Sequence, residues 1–132
     1  MNRDSPARAL KEAEAWLVSA KHTLVEAQDD EALSGVCCAQ AIHGIIRAND
    51  ALTLKFFGTK ATRHDDVPLT FAKLAREGKI EKSDEAFKNV LSNAVRDKSG
   101  ADYGKRTFTN EEARRYVEKA EEFIGIARKY AG

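Results

Sequence analysis

The chain has 132 residues, 42% hydrophobic and 33% charged, the proportions of a single soluble domain rich in helix. Its 22 basic residues nearly balance 21 acidic ones, which excludes bulk electrostatic binding to nucleic acid and leaves room only for a local basic patch. No apolar run nears the ~20 residues that span a bilayer, and the charged N-terminus is unlike a signal peptide, so the expectation is a cytoplasmic protein that does not engage a membrane.

Ser5 followed by Pro6 reads as an N-cap and first helical position. Ala9, Leu10, Ala13, Trp16, Leu17, Ala20, Leu24 and Ala27 then recur at three and four, which predicts a first helix to about residue 28. The link through Asp29 and Asp30 is short enough to make the next helix its antiparallel neighbour.

That second helix, over 30–58, organises the chain. An Asp caps its start, Gly58 supplies its end, and at 1.5 Å per residue it spans roughly 40 Å. It carries two apolar faces, one with Leu33, Cys37, Ala41, Ala48 and Leu52, the other with Ala39, Ile42, Ile46, Thr53 and Phe57. Such a helix is covered on several sides, and a homodimer is one source of that cover. Between the faces Gln40, His43, Arg47 and Asp50 form one polar row, spaced three, four and three apart. Two readings fit this row. Arg47 holds a phosphate in a cleft while His43 serves as acid or base, or the four residues satisfy one another, Asp50 pairing with Arg47. Cys37 and Cys38 point about 100° apart on the helix, a poor geometry for a disulfide, and read as small core residues.

After a polar stretch, Asp65 or Asp66 is placed to cap a short third helix carrying Leu69, Phe71, Ala72, Leu74 and Ala75 to a stop at Gly78. His64 reads as a surface residue at that helix start, and His22 as a solvated residue of the first helix. Ser83 is the expected cap of a fourth helix with Phe87, Val90, Leu91, Ala94 and Val95, which dissolves into a loop over RDKSGADYGKRTF. Thr109 and Glu112 form a capping box that opens the last helix, striped by Ala113, Tyr116, Val117, Ala120, Phe123, Ile124, Ala127 and Tyr130. The fold class is all-α: one domain over 1–132, an up-and-down four-helix bundle with one short extra helix.

In the C-terminal third an Arg (Arg96), the turn Ala101-Asp102-Tyr103-Gly104 and the capped TNEEARRYVEKAEEFI follow in order. That order is similar to the closing pattern of the HEPN family, small helical bundles named for nucleotide-binding domains of higher eukaryotes and prokaryotes. The His64-Asp65 pair and the second helix, with small residues early and a bulky end, also fit. The resemblance implies an up-and-down bundle, usually homodimeric. Many members are RNases, often toxins beside a nucleotidyltransferase antitoxin, and others are non-catalytic modules that bind nucleotides or partner proteins.

This chain departs from the family's RNase motif, an Arg followed four to six residues later by His. Downstream of Arg96 stand Gly100, Ala101, Asp102 and Tyr103, and no His follows His64. An unperturbed carboxylate near pKa ~4 is a weak base for the RNA 2′-hydroxyl. The expected function is therefore a nucleotide- or RNA-associated binding module, a toxin–antitoxin component with a degenerate motif. Its alternatives are a metal-independent RNase, acting through Arg96 and Asp102 or through His43 and Arg47, and a non-catalytic interaction subunit. No metal or cofactor is expected. The candidate binding residues are Arg96, Asp102, Tyr103, His43, Arg47 and Asp50, with Arg96 on phosphate and Tyr103 stacking on a base. The alternative for this group is structural: Asp102 pairs with Arg96 to pin the loop while Tyr103 closes the bundle end.

Overall fold

A computed structural model describes residues 4–132. Among them there are five α-helices, α1 (Pro6–Ala27), α2 (Glu31–Phe57), α3 (Val67–Arg76), α4 (Lys88–Tyr103) and α5 (Asn110–Ala131), with 3₁₀ turns at His64–Asp66 and Lys82–Phe87. The long helices alternate in direction. Ala20 meets Cys37 and Glu12 meets Arg47, Glu14 meets Arg128 and Lys21 meets Glu121, and Phe87 meets Phe123 and Asp97 meets Tyr116, each set running antiparallel.

The local signals at helix ends act as expected. Ser5 accepts from Arg8 N, Asp30 accepts from Leu33 N, and Gly58 leaves α2 in the left-handed region at φ 72°. Thr109 and Glu112 make the reciprocal capping box of α5. Phe108, just before that cap, is fully buried and packs over Gly35, an apolar anchor inside the stretch that reads as a polar loop.

Helix α2 is the spine. Its residues Cys37, Cys38, Ala41, Ile42, Ile45, Ala48, Ala51 and Leu52 are fully buried by the other helices of the same chain. Most of the cover for its two-faced pattern comes from within one copy, while Ala39, Ile46 and Phe57 of the second face stay part-exposed. Leu33, expected on a buried face, is exposed in the first turn of α2, where Ser34 takes the buried position instead. Gly44 marks the closest approach, since a Cβ there would lie 3.3 Å from Trp16 Cβ and 3.4 Å from the Ala13 carbonyl oxygen. Leu69 of the predicted α3 stripe is also exposed, leaving Val67, Phe71 and Leu74 to face the core.

Two expectations about the fourth helix are corrected. Ser83 caps nothing: residues 82–87 form a 3₁₀ turn, and α4 starts at Lys88 without a side-chain cap. The turn is tied to α5 instead, because the buried Asp84 accepts from the Tyr130 hydroxyl at 2.6 Å. At the other end α4 continues through the predicted loop to Tyr103 and leaves through Gly104 at φ 63°. The apolar stripe fades there, but Lys98 and Asp102, one turn apart, bond at 2.6 Å and sustain the last turns.

No helix among the described residues is long and apolar enough to cross a membrane.

Candidate functional site

The polar row of α2 divides between two clusters. Toward its C-terminal half, Arg47 is 15% exposed and spends its guanidinium on three carboxylates. It donates to Asp4 at 2.7 Å through both terminal nitrogens, to Glu12 at 2.8 Å and to Asp50 at 3.0 Å. Lys60 reaches Asp4 as well, at 3.0 Å. The hydrogen bonds from Arg47 hold the Asp4 carboxyl well below the ordinary range against the opposing effect of burial. Asp50 shares the same guanidinium yet moves upward, because burial outweighs its single bond from Arg47. With three carboxylates around it, Arg47 has no free fork for a phosphate. Arg47 and Asp50 do pair, and Asp4, just ahead of α1, and Glu12 on α1 are partners that α2 alone does not reveal.

Toward the middle of α2, His43 looks elsewhere. Its Nε2 lies 3.0 Å from Asp102 Oδ1 of α4, and its ring stacks on Trp16 of α1 at 4.8 Å between centroids. Asp102 also accepts from Lys98 Nζ at 2.6 Å. Burial pushes the Asp102 carboxyl up, but the Lys98 and His43 interactions overcome it and leave it below the ordinary value. A half-buried imidazole held by a carboxylate is an oriented proton-transfer group. Gln40, one turn earlier, keeps a buried side-chain oxygen without a partner among the described residues.

Asp102 therefore does not pair with Arg96. Six residues apart on a helix that turns 100° per residue, the two point to different sides of α4. Arg96 instead forks onto its neighbour Asp97, at 3.3 and 3.4 Å. Tyr103 shares the outward side with Arg96 and is 73% exposed, with Lys105 Nζ 5.7 Å from its ring centre. It does not close the bundle end. His64 is exposed, as is His22.

Arg96 opens onto a groove of about 500 Å³ between α4 and α5. Arg106, Arg115 and Lys119 line it together with Arg96, against two carboxylates, Asp97 and Glu112, and Asn89 and Asn93 extend the α4 wall. Arg115 and Lys119, one turn apart, stand ~6 Å apart along the helix axis, close to the phosphate spacing of an extended strand. Their own partners are loose surface acids, Glu111 at 3.9 Å and Glu122 at 3.4 Å. Glu112 lies below its ordinary range: burial raises it, but the Thr109 backbone and Arg106 lower it further. Tyr116 forms the floor and donates to Asp97, and burial with that acceptor pushes its own pKa far upward. The sequence singles out Arg96, but it places Tyr116 on the apolar stripe of the last helix and gives Arg115 and Lys119 no role. Their i,i+4 register was the available signal; that it faces Arg96 is a tertiary fact.

The sequence matches no family model and no curated protein.

Proposed function

We propose that this chain is a HEPN-like module that binds a nucleotide or single-stranded RNA by its phosphates in the α4–α5 groove. The observation that carries the reading is the convergence of Arg96, Arg106, Arg115 and Lys119 on one cleft of a chain whose net charge is only +1. Guanidinium forks bind phosphate oxygens in pairs, and a cleft concentrates their field. Tyr103, on the Arg96 side of α4 and exposed, is positioned for a base to stack on. A toxin–antitoxin setting with a nucleotidyltransferase partner, and a homodimer, follow from the HEPN resemblance and are part of the proposal. Fluorescence polarisation with a labelled oligouridylate tests it. Arg96→Ala is expected to weaken binding about tenfold, as loss of one charged phosphate contact does. Equal binding by the variant would remove Arg96 from the site.

A second reading, a metal-independent RNase, is favoured by one observation, the His43–Asp102 contact. It ranks below binding because the imidazole and the groove lie on different sides of α4. Incubation with a single-stranded RNA ladder in EDTA separates them. Cleavage by the wild type that is lost in His43→Ala would make the chain an enzyme, and an intact ladder leaves the binding role.

A further inference from the structure

The groove already holds an anion of its own. Asp97 receives the side-on fork of Arg96, Nε to Oδ1 at 3.3 Å and the terminal nitrogen to Oδ2 at 3.4 Å, and lies 3.8 Å from Arg106. These are long contacts; a firm guanidinium–carboxylate fork closes to ~2.8 Å. The two partners also differ in freedom. Asp97 is 13% exposed and fixed by the Tyr116 hydroxyl, whereas the Arg96 side chain is 68% exposed on a long stem. A carboxylate offers a guanidinium the same paired oxygens as a phosphate. The acid is thus anchored, and the cation it occupies is loosely held.

We propose that Asp97 is an internal counter-ion that an incoming phosphate must displace from Arg96, so that the groove selects phosphate chains over lone phosphate; Arg106 is held by Glu112 instead. This rests on the groove being the phosphate site. A single phosphate at Arg96 exchanges one anion for another and gains little. A phosphodiester or polyphosphate chain that reaches Arg115 and Lys119 in the same groove meets only Glu111 and Glu122 as competitors there, exposed side chains on free stems that swing aside at little cost, unlike the anchored Asp97. Selectivity therefore comes from length, with Asp97 as the anchored competitor at Arg96.

The test compares wild type, Asp97→Asn and Glu118→Gln for binding of a labelled oligouridylate by fluorescence polarisation at low salt. Glu118 lies on α5 outside the groove lining, so both variants remove one negative charge and only one removes the competitor. Asp97→Asn is expected to bind roughly five- to tenfold tighter, with Glu118→Gln within about twofold of wild type. Asp97→Asn binding no tighter than wild type, or Glu118→Gln gaining equally, overturns the inference while leaving the groove reading intact. Absence of binding by wild type and Asp97→Asn alike defeats the groove reading and the inference with it.

A measurement on the wild type covers failure of Asp97→Asn to fold. Pyrophosphate is titrated while the arginine Nε–H resonances are followed by NMR. Displacement of Asp97 requires the Arg96 resonance to shift along with that of Arg115. An Arg115 shift with a still Arg96 overturns the proposal.

Discussion

His43 and Asp102, fifty-nine residues apart in sequence, meet at 3.0 Å and join the middle of α2 to the last turn of α4. The contact closes the end of a helix that lacks apolar stuffing there, so it is expected to carry stability whatever its chemical role. A double-mutant cycle of His43→Gln and Asp102→Asn, read by urea denaturation, is expected to give a coupling of about 0.5–1.5 kcal/mol. Additive losses would mean that the two side chains do not depend on each other.

That pair also shows where sequence reasoning reaches and where it stops. The caps at Ser5, Asp30 and Thr109 and the glycine exit at Gly58 were legible because each is settled within four residues. So were the buried cysteines and the all-helical architecture, which follow from periodicity. Asp102 was paired with Arg96 because proximity in sequence was the only measure to hand, and helical rotation separates them. The stretch after Arg96 looked like a loop because its helix is held by the Lys98–Asp102 pair and by His43 instead of an apolar stripe. The α4–α5 groove was illegible for a plainer reason: half of its cations lie on another helix, in positions that resemble any solvated face.

Arg47 is the most heavily engaged polar side chain of the spine. Arg47→Ala would leave Asp4, Glu12 and Asp50 facing one another with Lys60 beside Asp4 and Arg8 beside Glu12, and because the cluster is part-exposed the loss is expected below the ~3–5 kcal/mol of a fully buried ion pair, at about 2 kcal/mol. The double variant Arg47→Met with Asp50→Asn, which removes both the cation and the most buried acid, is expected to lose less. Thermal melts of the two variants decide it; if the single variant melts with wild type, the cluster is not stabilising.

The same cluster sets opposed responses to acid. Asp4 has a folded pKa below its unfolded value of ~4, so its stabilisation is complete above that pH and is lost as pH falls further. Asp50 has a raised folded pKa, so protonation favours its folded form and returns some stability as pH falls through that value. Melting temperatures between about pH 6 and about pH 3 are expected to fall less steeply for Asp4→Asn than for wild type, and more steeply for Asp50→Asn. Parallel curves for all three would contradict both assignments.

Two helix-interior glycines have opposite surroundings. At Gly44 a side chain meets Trp16, the Ala13 carbonyl and Ile124 within 3.5 Å, so Gly44→Val must push α1 from α2 and is expected to cost about 2–3 kcal/mol. At Gly125 nothing lies within 4 Å of an added Cβ, and Gly125→Ala is expected to stabilise by roughly 0.5–1 kcal/mol through helix propensity alone. Urea midpoints measure both. Equal effects at the two sites would mean that the close packing of α1 on α2 exerts no constraint.

Salt dependence offers the most direct count of phosphate contacts in the groove. Each cation that meets a phosphate of a single strand adds ~0.7 to the slope of log affinity against log salt. Arg115→Ala and Lys119→Ala are each expected to reduce the oligouridylate slope by about that amount, independently of base sequence. Lys11→Ala is the control: Lys11 is exposed on α1, outside the groove, and its loss is expected to leave the slope unchanged. A slope that falls equally for Lys11→Ala would assign the binding to diffuse surface charge. A slope that falls only for the groove variants ties each lost counter-ion to a residue on the α5 wall, which net charge alone would not do.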